Sequence, residues 1–244
     1  VPQIQNGASR YDFAHGTSYA APHVTGAIAL LQEYAAARGW GEPYPLVLKA
    51  VLLNSSDKIR DDGSLAPIGS FLGMEKTVVK RDGHSTWLDS PAYTDSTIPL
   101  DEELGTGQLN VRRALNQFSS GDRPFQDANG NAIRLPPIGW RFGWPSASTV
   151  TQVFDLGPLK ANSFFSTTLT WNRPVSLGDF NNSGAYESGE SFNARPIPNY
   201  DLVLRRKNGN VVMSSRSTQY NIEHIFAQIP ADGDYEILVN RNLH

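Results

Sequence analysis

GTSYAAPHVTGAIALLQEYAAA, running from Gly16 to Ala37, is the stretch from which the fold of this chain is read. Apolar or small residues fall at Ala20, Val24, Ala27, Ile28, Leu31, Tyr34 and Ala35, a spacing that predicts a helix over Thr17 to Ala37. Gly39 and Gly41 supply its stop. Small residues at Ala20, Ala21, Gly26, Ala27 and Ala29 suit close approach by neighbours on several sides, so the helix is expected to be buried. Ser18 stands at the mouth of this helix, directly after Gly16 and Thr17. A serine there places its backbone N–H among the unpaired donors of the first turn, where hydrogen bonding and the helix dipole both favour a developing oxyanion. Pro22 is read as a first-turn residue whose missing N–H costs nothing. Ser or Thr before an apolar helix is also ordinary N-cap chemistry, and Thr17 is a candidate cap.

Moving outward, Pro43 and Pro45 lead into a second apolar helix, Leu46 to Asn54. Residues 55 to 100 are rich in Gly, Ser, Asp and Pro and read as a long connection holding one hairpin. GTGQLNVRRALNQF, from Gly105 to Phe118, gives a glycine-punctuated turn, Asn110 as a cap and a short amphipathic helix. After SSGDRP at 119–124 the periodicity turns from helical to alternating. Strands are expected at Thr149–Leu156, Phe164–Trp171, Tyr200–Arg206, Asn210–Ser214, Asn221–Ile229 and Gly233–Asn240. Asn208-Gly209 is read as a two-residue hairpin loop, and Asp232-Gly233 precedes the last strand in similar fashion. Short strands separated by turn residues, with almost no helical pattern, point to a β-sandwich.

GTSYAAPHVTGAIALL resembles the serine-site signature of the subtilisin-like serine peptidases (subtilases, peptidase S8), the pattern GTSxAxPxxxG followed by an apolar helix. PLVLKAVLLNSS, Pro45 to Ser56, is similar to the helix that follows the serine helix in that family, and GTGQLNVRRAL resembles the segment closing its catalytic domain. Further on, TTLTW, YDLVL, YNIEHIF and GDYEILV are similar to β-sandwich domains appended to some of these enzymes. The resemblance implies an α/β portion over residues 1–122, the C-terminal part of a subtilisin-like catalytic domain with an insert at about 55–100. An all-β, jelly-roll-like sandwich follows over 123–244. It implies Ser18 as the nucleophile of a serine endopeptidase that acts on protein or peptide through an acyl-enzyme, and a secreted location. Chemistry of this kind needs no cofactor.

In such enzymes the triad runs Asp, His, Ser along the chain, and a distant Asn supplies a second oxyanion donor. Seventeen residues precede Ser18, so those partners are expected in upstream sequence, and the 244 residues alone are expected to be inactive. Local histidines are poorly placed: His15 lies three positions before Ser18, and His23 lies roughly 140° around the helical wheel from it. Asp12 and Asp57 read as turn or cap residues, and His84 and His224 as structural.

A net charge of -3 supplies no basic field for a nucleic acid, and the absence of cysteine excludes a disulfide framework, a thiolate zinc site and a thiol nucleophile. The longest weakly polar stretch, Tyr19 to Leu31, is too short and too interrupted to span a bilayer. Asp179, Asn181, Ser183, Glu187 and Glu190, with Gly184 at the sixth position, have the oxygen spacing of a twelve-position calcium loop, though the flanks read as strand and proline-broken coil rather than helices. The loop is open to two readings, a structural calcium site or a plain polar turn between strands. The Asp127, Asn129, Asn131 series lacks an acidic closing ligand and reads as a hairpin loop. Two other readings compete with the peptidase. One is a non-catalytic β-sandwich binding protein with a relic serine-site helix, in which Trp140, Trp144 or Tyr186 stack on sugars. The other is a transacylating or macrocyclising relative that keeps the serine.

Overall fold

The computed structural model describes residues 2–5, 8–11, 16–61, 74–76, 87–102, 104–143 and 150–242. Asp12, His15, His84 and Trp144 lie outside the described residues. The chain divides into two compact units, Val1–Tyr44 and Pro45–His244.

In the first unit, β1 (Pro2–Gln5) pairs antiparallel with β2 (Ala8–Tyr11), from Pro2 opposite Tyr11 to Gln5 opposite Ala8. The helix α1 spans Thr17–Ala37, as its periodicity predicts. Its end is a Schellman motif, in which Gly39 (φ 68°) donates to the Ala36 carbonyl and Trp40 to that of Ala35, both at 3.0 Å. Trp40 then packs edge-on against Tyr34, with ring centroids 5.8 Å apart. The helix is not buried on several sides. Only Ala27, Leu31 and Ala35 are buried, one stripe at a spacing of four, while Ala20, Ala21, Gly26 and Ala29 are exposed. Thr17 is not the cap either: Gly16 occupies that position, and no side chain caps the helix.

The second unit opens with α2 (Pro45–Asn54), whose Pro45 takes the first helical position, where no N–H is required. Val47, Leu48, Val51 and Leu52 form its buried stripe. The long connection does contain one hairpin, β3 (Ile59–Asp61) against β4 (Met74–Lys76). It also carries a 3-10 turn at Trp87–Asp89 and a short helix α3 (Pro91–Thr94). Ser90 caps α3 by accepting from the Ala92 N–H at 3.1 Å. Helix α4 (Val111–Ser119) is capped by Asn110, whose side-chain oxygen accepts from the Arg113 N–H at 3.0 Å, as its sequence predicts.

The strand-rich part contains β5 (Thr151–Leu159), β6 (Phe164–Thr170), β7 (Val175–Leu177), β8 (Phe192–Ala194), β9 (Asn199–Arg206), β10 (Val211–Ser215), β11 (Ile222–Gln228) and β12 (Gly233–Asn242). These strands pair with one another antiparallel: a four-stranded sheet in the order β10-β9-β12-β5, the pair β6-β11 and the hairpin β7-β8. Leu202 and Leu204 of β9, Ile225 and Ala227 of β11, Ile229, and Tyr235 and Ile237 of β12 share one buried core. Strand alternation puts His224 and Phe226 on the other face of β11, where Trp87 and Ala92 cover Phe226. Helices α2 and α4 pack on each other, and α2 packs on β6. Asn54 Oδ1 accepts from Ser166 at 2.8 Å and from Thr168 at 3.2 Å, and the Leu46 carbonyl accepts from Thr170 at 3.2 Å.

Two local expectations change. The turn at Asn208-Gly209 has three residues, closed by Gly209 N–H donating to the Arg206 carbonyl and Arg206 N–H to that of Asn210; only Gly209, at φ 96°, is left-handed. Strands β7 and β8 were not predicted, because three residues beside prolines leave no alternation to read. The Asp127 series is the hairpin loop expected of it, with Asp127 accepting from the Asn129 and Asn131 N–H groups.

Candidate active site

Ser18 is the second residue of α1 and is exposed. What places it there is Gly16, whose φ of 124° and ψ of 158° put the backbone in a region that side-chain-bearing residues rarely adopt. From that position the Gly16 carbonyl accepts from the Tyr19 N–H at 3.0 Å and the Ala20 N–H at 3.2 Å. The N–H groups of Thr17 and Ser18 have no intrahelical acceptor, so they lie at the positive end of a 21-residue helix. A tetrahedral oxyanion formed at Ser18 would find the serine's own N–H in its first shell of donors.

Pro22 lies deeper than expected. With the helix starting at Thr17 it is the sixth helical residue, and its missing N–H leaves the Ser18 carbonyl without its usual i+4 donor. The side chains around that gap bond their own helix: His23 Nδ1 meets the Tyr19 carbonyl at 2.8 Å, and Thr25 donates to the Ala21 carbonyl at 3.2 Å. His23 therefore turns its ring to Tyr19, in keeping with its poor placement as a base. Among the described residues, no histidine or carboxylate is hydrogen-bonded to Ser18.

Residues 2–71, which contain the whole serine-helix signature, match the model of the Subtilase family, Peptidase S8. The likeness to this family covers those 70 of the 244 residues. At the level of the family that means a serine-type peptidase acting on protein or peptide, and subtilases are commonly secreted. No curated protein matches the chain. Among the described residues, no helix is long and apolar enough to cross a membrane.

Beyond α1, the subtilase segment takes in α2 and the residues that follow it. Asp57, read from sequence as a turn or cap residue, is buried and clasps the start of α4: its carboxylate accepts from Asn110 Nδ2 and Arg113 Nη1, both at 2.9 Å. Its backbone exchanges two 2.8 Å hydrogen bonds with Gln108. Gly107, at φ 118°, fits beside that bridge only because it lacks a Cβ, which would stand 2.1 Å from the Asp57 carbonyl oxygen.

The acidic loop lies between β7 and β8. Asp179 accepts from the Ser183 and Gly184 N–H groups at 3.0 and 2.7 Å, and Glu190 from the Phe180 and Glu187 N–H groups at 3.3 and 2.9 Å. Asn181 Nδ2 donates to Glu187 at 2.7 Å, and Ser183 Oγ donates to the Ala185 carbonyl at 3.0 Å. All five oxygen-bearing residues are thus drawn into one loop, and oxygen donors of this kind suit a hard cation. Among the described residues, no group of three or more His, Asp and Glu is arranged to hold a metal.

Two buried ionisable clusters had no sequence signal. Lys58 donates to the Thr106 carbonyl at 2.7 Å and meets His224 Nε2 at 2.9 Å, while its ammonium sits 4.0 Å from the Trp87 ring centroid and 5.0 Å from that of Phe226. Burial, with Arg113 nearby, pushes Lys58 down to about 7. Burial and the neighbouring Lys58 hold His224 well below the usual imidazole range. On the opposite face of β11, Glu223 is fully buried, accepts from Ser215 Oγ and takes the Ser217 N–H at 2.7 Å. Burial raises it to about 8 against the lowering effect of those two hydrogen bonds, with Asp201 adding to the rise.

Proposed function

We propose that this chain carries the nucleophile-bearing part of a subtilisin-type serine endopeptidase, with Ser18 as nucleophile. The observation that supports it is the position of Ser18 at the N-terminus of α1 behind a left-handed glycine, within the segment that matches the subtilase family. Ser18 Oγ attacks the scissile carbonyl, the C–N bond breaks to release the amine, and water then hydrolyses the acyl-enzyme. The Ser18 N–H donates to the oxyanion. The base, its orienting carboxylate and the second oxyanion donor come from sequence outside these 244 residues, so the chain by itself is expected to turn over little or no peptide. Tyr19, Val24 and Leu30 are exposed apolar side chains of α1, which accords with a helix that further parts of such a domain would cover.

The facing groups of strands are read as an appended β-sandwich, and the loop Asp179–Glu190 as a structural calcium site that takes no part in bond cleavage. Asp179, Asn181, Ser183, Glu187 and Glu190 would hold the ion through oxygen, which here serves to fix the β7–β8 hairpin.

The test of Ser18 uses the chain with its natural upstream sequence. Wild type should hydrolyse casein and be labelled by a fluorophosphonate, and Ser18→Ala should lose both. Equal labelling and turnover in the mutant would refute the assignment. Absence of both activities in a folded wild type would favour a non-catalytic binding protein.

A further inference from the structure

Lys58 and His224 sit 166 positions apart in sequence and are each 2% exposed, yet their nitrogens are 2.9 Å apart with no carboxylate between them. Hydrogen-bond directions fix how this contact is made. As an ammonium Lys58 only donates, so His224 Nε2 then accepts and His224 Nδ1–H donates to Thr168 Oγ1 at 2.8 Å. Thr168 then donates to Asn54 Oδ1 at 3.2 Å, Asn54 Nδ2 to Gln117 Oε1 at 3.1 Å, and Gln117 Nε2 to the Gly139 carbonyl at 3.1 Å. The run crosses from the segment after α2 through β11 and β6 back to α2 and α4, and its first step, from Lys58 to Nε2, holds only while the imidazole is neutral.

We infer that the Lys58–His224 contact is an acid-sensitive latch, which opens the Ser55–Lys58 segment and the Trp87 turn away from β11 when His224 takes a proton. A second proton puts an N–H at Nε2 facing the Lys58 ammonium, donor against donor and cation against cation. Among the described residues, the groups facing the pair give no relief. From α4 comes Arg113, another cation, already paired with Asp57, and Asp57 itself turns to Asn110 and Arg113. β6 presents Thr168, the 3-10 turn presents Trp87, and the loop before α4 presents the Thr106 carbonyl. Glu223, next along β11, points to the opposite face, toward Ser215 and Ser217. Among the described residues, no carboxylate reaches either member of the pair. The imidazole therefore ionises only by leaving.

The linkage has a definite sign. His224 is held below its ordinary 6.5, so the closed form binds fewer protons than the open one, and closure is lost as pH falls below 6.5. Lys58 contributes its own pH dependence only between about 7 and its ordinary 10.5, and both forms carry its charge below that window. One proton of linkage means that the open population rises up to about tenfold per pH unit below 6.5.

This inference stands apart from the role of Ser18, and its test needs no peptidase activity. Amide exchange, corrected for intrinsic rates, is followed at Ser55–Lys58 and Trp87, whose opening leaves Glu223 in place, between pH 6.5 and 5 in the 244-residue protein and in His224→Gln, whose amide can accept from Lys58 and donate to Thr168 without titrating. Wild type should open with the predicted slope, and His224→Gln should be flat. A flat wild-type profile, or the same slope in both proteins, overturns the latch. Ring NMR of His224 in wild type decides the matter should the variant not fold: a neutral Nδ1–H tautomer throughout the closed state supports the latch, and protonation near 6.5 with these segments still protected refutes it.

Discussion

Glu223→Gln tests how the fold holds a carboxyl in its interior. Glu223 is fully buried on the core-facing side of β11, its oxygens turned to Ser215 Oγ and the Ser217 N–H. At about 8 instead of an ordinary 4.5, the carboxyl is protonated in the folded protein over a range in which the unfolded chain is ionised. The folded state then binds the extra proton, so stability from this group is fully present below pH 4.5 and is lost as pH rises toward 8. At about 1.36 kcal/mol per unit the full displacement corresponds to roughly 5 kcal/mol, and relaxation with water reaching the ionised carboxylate brings this to about 2–3 kcal/mol. A glutamine keeps an acceptor for the Ser217 N–H, offers its Nε2–H to Ser215 Oγ once that hydroxyl turns from donor to acceptor, and never ionises. Urea unfolding of both proteins at half-unit intervals from pH 4.5 to 9 isolates the effect, because the contributions of Lys58 and His224 cancel in the difference. Glu223→Gln should match wild type near pH 4.5 and exceed it by about 2–3 kcal/mol at pH 8.5. A difference that stays constant with pH would refute the reasoning, as would a variant less stable than wild type at pH 8.5.

Gly107→Ala forces a Cβ to within 2.1 Å of the Asp57 carbonyl at a φ of 118°, and should cost about 3 kcal/mol or more in urea unfolding while breaking the Asp57–Gln108 bridge. An unfolding midpoint within error of wild type would show that the bridge is not needed. Chelator-stripped protein should bind calcium in calorimetry, and Asp179→Ala should abolish that heat, since the residue gathers the Ser183 and Gly184 N–H groups as well as offering oxygen. Equal heats from the two proteins would remove the loop as a site.

Periodicity made α1, the Asn110 cap and six of the strands legible, because each repeats a pattern over several residues. The place of Ser18 at the mouth of α1 was legible because glycine, serine and small residues stand together where a helix begins, while its reading as nucleophile came from the resemblance of the whole string to the subtilase signature. Features that depend on tertiary partners left no such mark. Nothing in NSSDK or IEHIF says that Lys58 and His224 meet, or that Glu223 turns inward while its neighbour turns outward. Pro22 lies past the first turn whether Gly16 or Thr17 takes the cap, and that Gly16 takes it is settled by backbone conformation and not by composition. The exposure of Ala20, Ala21 and Ala29 was misjudged for a related reason: small residues permit close packing without supplying the neighbour.

Ser166, Thr168 and Thr170 reach from β6 to α2, and Gln117 on α4 completes the set. This seam limits how the protein can be recombined. A cut after residue 122, where the periodicity changes, would take the hydroxyl partners of Asn54 and the Leu46 carbonyl away and uncover the buried stripe of α2. Grafting another enzyme's strand-rich region onto that cut would need hydroxyls at three alternate positions of one strand, so the two parts must be exchanged together or co-designed.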